Sequence, residues 1–441
     1  MLSLTTDLKP SSNSMASFYP ISTNENSNDF NWEHVTSLFL SELYGLLAGK
    51  KLNKFEVDLK AFQKDFELTF KDEAQNEKAW TMVNDIYFLK NNIAKISPKL
   101  RIFSLSEDTR KLSAEKRIVA LLKTLLLEKH IYKNDVNNLN FIEQKIYESF
   151  EKSFPSRLPD YDGMCSYLPK LSNIFGKDLI FLTNHSKYFL ENIQLFLELY
   201  TFLYTAQLSI AINGWKEADE PPIKACYFIL DTEKASRERA SLQRSGYKLV
   251  EKGLDSIFPT LALCESLQNT TEQKIPLWKL VTKFSEVDLA NLEQFYEAFA
   301  ENRSLKINDN KFIDVVSAID ALQHLFKAQF AKGETRASRN SNVVRTIKNI
   351  ILKPFTQIRG SAGTVFVLTQ EYLLLLTNLV IGDREKLRLY EVITGLEARG
   401  IYFDKESRKA LVNFYERLGN VEKMSDSGDA IYVGFVAQSY S

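Results

Sequence analysis

Residues 372–436, YLLLLTNLVIGDREKLRLYEVITGLEARGIYFDKESRKALVNFYERLGNVEKMSDSGDAIYVGFV, decide how the chain is read. Apolar side chains return every third or fourth position over Tyr372–Ile381, Glu385–Arg399 and Asp404–Leu418, which sets them on one face of a helix. Two short apolar segments follow, Val421–Met424 and Ala430–Val436. They flank Ser425-Asp426-Ser427-Gly428-Asp429, whose Gly and Asp suit a tight hairpin turn. Three helices and then a hairpin is the order of a winged helix-turn-helix. Glu385–Arg399 is then the support helix, Gly400–Phe403 the turn, and Asp404–Leu418 the recognition helix with Asp404 as its cap. Ala410, Leu411, Phe414, Tyr415 and Leu418 pack inward in that reading, leaving Lys405, Arg408, Lys409 and Asn413 to meet phosphates. Charge argues the other way. Residues 360–441 hold nine Lys or Arg against eleven Asp or Glu, and Asp426 and Asp429 in the wing repel phosphate. DNA contact and docking onto a partner protein both fit such a module.

Immediately upstream, residues 332–359 (KGETRASRNSNVVRTIKNIILKPFTQIR) carry Lys332, Arg336, Arg339, Arg345, Lys348, Lys353 and Arg359 against Glu334 alone. The whole chain is neutral, with 56 Lys or Arg and 56 Asp or Glu, so affinity for a polyanion has to come from such local asymmetry. Ser, Thr and Asn between the arginines add phosphate donors, and Gly360–Gly363 could turn backbone amides toward an anion. The competing reading of a charged run is a solvated surface.

Working outward, the 441 residues exceed one ordinary core, and 44% hydrophobic with 25% charged residues excludes a mainly disordered or multi-span membrane protein. Residues 1–30 are rich in Ser, Thr and Asn around the apolar FYPI, and read as a flexible arm that orders on docking. Helical periodicity runs through Trp32–Leu47, Glu56–Phe70, Glu77–Ile96, Ala114–His130 and Asn140–Phe154, giving a helical domain over 31–215. Leu195–Ile212 (LFLELYTFLYTAQLSIAI) is the most apolar run. Its Glu198, Thr201, Thr205, Gln207 and Ser209 make it a buried helix rather than a membrane span. The Pro-rich acidic NGWKEADEPP (213–222) marks a boundary. A central α-rich domain over 216–331 follows, with one strand at Ala225–Leu230, a long helix over Thr232–Phe258, and further helices at Leu277–Phe284, Asp288–Phe299 and Asn310–Phe330. The basic segment and winged-helix-like domain fill 332–441. The fold class is mainly α.

Catalytic motifs are missing. Gly45-Leu-Leu-Ala-Gly49-Lys50-Lys51 is one residue short of a phosphate loop and lacks its hydroxyl, so it reads as a helix end. His34, His130, His185 and His324 form no metal-ligand pair, and Cys165, Cys226 and Cys264 are too dispersed for a knuckle or a disulfide framework, which fits a reducing cytoplasm. Asp231, Glu233 and Lys234 follow the strand as nuclease residues do, but too contiguously; a capped, charged helix explains them better. No metal or cofactor is expected.

Three blocks carry a family likeness: MLSLTTDLKPSSNSMASFYPI at residues 1–21, YFILDTEKASRERASLQRSGYKL at 227–249, and TQEYLLLLTNLVIGDREKLRLYEVITGLEARGIYFDKESRKALVNFYERLGNVEKMSDSGDAIYVG at 369–434. With these the chain resembles the G subunit of the DNA phosphorothioation-dependent restriction system, the DptG or DndG family. The resemblance implies a bacterial defence component that works with F and H subunits, which carry the ATPase machinery, on DNA lacking backbone sulfur. It implies no active site. The expectation is therefore a cytoplasmic, non-catalytic subunit without a membrane segment, gripping double-stranded DNA phosphates through 332–359 and docking onto the F and H subunits. The alternative is a pure assembly scaffold.

Overall fold

Local sequence signals start the helices at Trp32, Phe141 and Lys405 within a residue of where the spacing predicts them. The Asn31 side chain accepts the Glu33 amide and opens α1 (Trp32–Leu43). Gly45, at φ +68°, ends that turn in a conformation that favours glycine. The computed structural model describes residues 13–46, 59–74, 77–90, 92–105, 112–127, 132, 139–156, 165–236, 238–268, 274–307, 312–424 and 430–435. The rest of the glycine-lysine string after Leu46, His130 and the hairpin turn with Asp426 and Asp429 lie outside them. The fold is mainly helical, in two compact units: residues 29–162 with 176–197, and residues 1–28 with 163–175 and 198–441.

In the first unit, α1 is followed by α2 (Leu59–Ala74), α3 (Glu77–Val83), α4 (Ser113–Lys123) and α5 (Phe141–Ser153). Phe62 and Phe66 of α2 gather Trp80, Phe88, Phe103, Phe150 and Phe154 into one aromatic core, with Phe62 and Phe103 5.0 Å apart. Asn140 starts α5 with a capping box, accepting the Ile142 and Glu143 amides while Glu143 accepts the Asn140 amide. Two helices, α6 (Pro169–Asn184) and α7 (Ser186–Ala211), give residues to both units.

The second unit is built on a small sheet that the sequence showed only in part. After β1 (Cys226–Leu230) come α8 (Ala240–Arg244), α9 (Tyr247–Ser266), α10 (Leu277–Leu280), α11 (Leu289–Arg303), α12 (Val315–Ala328) and α13 (Ala337–Thr346). A wider π turn, Ile347–Leu352, extends α13. Then follow β2 (Thr356–Ile358), β3 (Thr364–Leu368), α14 (Gln370–Ile381), β4 (Lys386–Arg388), α15 (Leu389–Ala398) and β5 (Ile401–Phe403). The described chain closes with α16 (Lys405–Leu418), β6 (Val421–Met424) and β7 (Ala430–Gly434).

The sheet order is β2-β3-β1-β5, with β1 parallel to both β3 and β5 and β2 antiparallel at the edge. Phe228 lies opposite Phe366 and Ile229 opposite Val367, so alternation sends two layers of side chains to opposite faces. On one face Phe202 of α7 meets Phe228, Phe366 and Phe355, the last at 4.0 Å. On the other, Ile229, Leu242, Ala362, Val365 and Val367 form a second cluster. α7 is thus a core helix. Its Thr205 bonds Tyr19 at 2.9 Å, Ser209 bonds the Val250 carbonyl at 2.5 Å, and Glu198 accepts the Tyr372 hydroxyl at 2.8 Å. No helix among the described residues is long and apolar enough to cross a membrane.

Several expectations change. The segments 216–331 and 332–441, read as separate domains, share one sheet because β1 pairs with strands on both sides of it from the later segment. The helix expected over Thr232–Phe258 starts only at Ala240 and again at Tyr247, because Glu233 turns back to accept the Leu230 amide and Arg239 is held by Asp404. Glu385–Arg399 splits into β4 and α15. Gly400–Phe403 is no simple turn: Gly400 holds φ +82° with Gln207 and the Lys224 carbonyl too near for a side chain, and the next three residues form β5. The expected arm is docked over 13–28. Phe18, Tyr19 and Ile21 are buried, and the Phe18 carbonyl accepts the Tyr204 hydroxyl at 2.9 Å.

Candidate nucleic-acid interface

The basic run 332–359 folds into a turn, α13, the π turn and β2, which scatters its cations. Arg345 leaves α13 and grips Glu25 with both Nε and Nη2, the Nε bond being 2.8 Å. That hydrogen bond holds the Glu25 carboxyl below its usual range and lifts Arg345 in return. Lys348 bonds Glu251 at 2.6 Å; burial works against its ammonium, but Glu251 and Tyr247 outweigh it and its pKa is raised. Arg359 donates Nη2 to the Asp231 carbonyl at 2.5 Å and is spent on the end of β1. The strip read from sequence is therefore not a single free surface.

The other four behave differently. Lys332, Arg339 and Lys353 are exposed and Arg336 is half-buried, and none has a carboxylate partner among the described residues. Lys332 lies in the turn before α13, Arg336 occupies the N-cap position, and Arg339 stands in the first turn. Helix dipole and side chains thus place positive charge together at one end of α13. The Gly360–Gly363 turn does not join them as an anion nest. Its Ala362 and Gly363 amides are spent on the Arg359 and Gly360 carbonyls.

α16 has the faces expected of it. Leu411, Phe414 and Tyr415 are buried, Ala410 and Leu418 half-buried, and Lys405, Arg408, Lys409 and Asn413 exposed. Two of these cations have acidic partners: Arg408 bonds Glu397 at 2.8 Å and Lys409 bonds Glu406 at 3.2 Å. β4 pairs with β7, and β7 with β6, to form a three-stranded sheet beside α15 and α16.

The start of α16 is locked to the end of β1. Asp404 caps the helix by accepting the Ser407 amide at 2.9 Å, and its two oxygens take Arg239 Nε at 2.6 Å and Nη2 at 2.5 Å. Glu233 takes Arg239 from the other side at 3.1 Å, accepts the Ser407 hydroxyl at 3.0 Å, and accepts the Leu230 amide at 2.7 Å. Burial alone would lift the Asp404 carboxyl, but the Arg239 and Ser407 hydrogen bonds outweigh it and hold the pKa below the usual range. The Asp231-Thr-Glu233-Lys234 cluster is thus partly consumed in joining two elements. Among the described residues, no group of three or more His, Cys, Asp or Glu is arranged to hold a metal ion.

One residue escaped the sequence reading. Arg303 ends α11, is only 7% exposed, and lies over the Phe299 ring at 5.3 Å. A single arginine at a helix end carries no motif, so nothing in the sequence pointed to it. Compared with known proteins, the chain matches no protein-family model and no curated sequence.

Proposed function

We propose that the chain is a non-catalytic, cytoplasmic subunit of a bacterial DNA phosphorothioation-dependent restriction complex that contacts duplex phosphates and docks onto F and H ATPase subunits. The resemblance of the three sequence blocks supplies the biological setting. One observation carries the DNA part: Lys332, Arg336 and Arg339 stand at the positive end of α13, and none of them forms an ion pair among the described residues. In a protein of zero net charge, unneutralised cations gathered at one helix end favour a polyanion. Lys353 adds a further exposed cation; Arg345, Lys348 and Arg359 serve the fold instead.

The test is binding of the full chain to a labelled duplex at low salt, compared with charge reversals. Arg336→Glu and Arg339→Glu are expected to weaken binding strongly, and Arg345→Glu less, because Arg345 is already held by Glu25. Absence of binding, or equal binding by all three variants, sinks the DNA contact.

A second reading has its own support. Arg408 and Lys409 on α16 are matched by Glu397 and Glu406, and Arg239 is matched by Asp404 and Glu233. A module with its cations balanced in this way suits a protein neighbour better than DNA, so α14–α16 with β4, β6 and β7 is the assembly surface in the scaffold alternative. Loss of co-purification with co-expressed F and H subunits upon reversal of Lys405, with duplex binding unchanged, favours it.

A further inference from the structure

The structure assigns a phosphate-type oxyanion site to the buried guanidinium of Arg303 at the end of α11, with Arg336 at the start of α13 as its neighbouring cation. This deepens the DNA-contact reading, yet it rests on an observation of its own. The Arg303 Nε and Nη2 are buried and have no hydrogen-bond partner among the described residues. These two donors form one edge of the guanidinium, the edge that takes two oxygens of a carboxylate or phosphate side by side. Elsewhere the chain fills that edge itself: Arg239 gives Nε and Nη2 to Asp404, and Arg345 gives them to Glu25. Arg303 leaves the same fork empty.

The surroundings sharpen the point. The C-terminal end of α11 and the Phe299 ring both favour a cation, but neither accepts a hydrogen bond from the fork. Burial lowers the Arg303 pKa, and the charge of Arg336 lowers it further; no carboxylate offsets either. Two like charges with unmade donors are costly, and an arriving anion with several acceptor oxygens relieves both costs at once. Arg336 occupies the N-cap position of α13, so the partial positive charge of that helix end adds to the two side chains. Both donors are closed to solvent, and the half-buried Arg336 is the more accessible of the two cations.

Inorganic phosphate is the probe. Thermal unfolding of the full chain is followed against phosphate concentration, with chloride keeping ionic strength constant. Wild type and Lys71→Gln, which removes a cation from α2, are expected to show the same saturable rise in Tm. Arg303→Gln should weaken phosphate about tenfold or more, the loss expected for hydrogen bonds to a charged group. In chloride alone, Arg303→Met should melt no lower than wild type, since it removes an unpartnered buried charge. If a substitution at Arg303 prevents folding, Arg336→Gln at the half-buried position reads the same site. No saturable shift, or a shift that Arg303→Gln and Arg336→Gln both leave intact, overturns the site. Duplex binding then separates the sources. If Arg303→Gln weakens both ligands, the phosphate belongs to a nucleic-acid backbone; if duplex binding is unchanged, the site takes a free phosphate. Phosphate binding by a wild-type chain that does not bind DNA supports the site while defeating the DNA reading.

Discussion

At the scale of single residues, the Arg239–Asp404 pair is the clearest case of sequence chemistry becoming structure. Asp404 was legible as a helix cap because Asp before an amphipathic run has that role anywhere. Its second role was not, since Arg239 lies far away in the chain and only the fold brings them together. Removing one partner leaves a largely buried charge unpaired, so Arg239→Met should destabilise the protein by on the order of 2–3 kcal/mol in urea unfolding, below the range for fully buried pairs because both side chains keep some exposure. The pH dependence has a fixed sign. Asp404 has a lowered pKa when folded, so its stabilising contribution is complete above the unfolded carboxylate value and is lost as pH falls through the folded one. The gap in urea midpoint between wild type and Asp404→Asn is therefore expected to be widest near neutrality and to shrink in acid. A gap that does not change with pH would mean that the cap acts without its charge.

Among elements, the helices were readable and most strands were not. A 3.6-residue period is a local property, and α1, α5 and α16 follow their apolar spacing and caps closely. β2, β4 and β5 are three residues long, too short for alternation to register, and their pairing is decided by distant segments. β3 (TVFVL) has the β-branched content of a strand, a signal hidden behind the Gly360–Gly363 turn. Close packing of helices gave no advance sign either. Gly253 of α9 faces the Ser209 carbonyl of α7 with no room for a methyl group. Gly253→Ala is expected to push these helices apart and cost about 1–3 kcal/mol, measured as a lower denaturation midpoint. Glycine's absent side chain, not its backbone freedom, is what matters there.

For the whole molecule, electrical neutrality conceals an uneven surface, and the size of that unevenness can be measured. If Lys332, Arg336 and Arg339 each displace a counterion from duplex DNA, log affinity should fall against log salt with a slope of about −3. A slope near zero would remove phosphate contact from the description. No local pattern announces that the middle of the chain and its end are woven into one sheet, and this has a price during synthesis. Phe228 is made long before Phe366 and Phe403, the residues beside which it finally rests. A nascent chain therefore carries an apolar strand with both edges bare until nearly the last helix has left the ribosome, a period in which chaperone protection matters most. For the same reason, a fragment cut at residue 331 should precipitate rather than fold, however natural that boundary looks on paper.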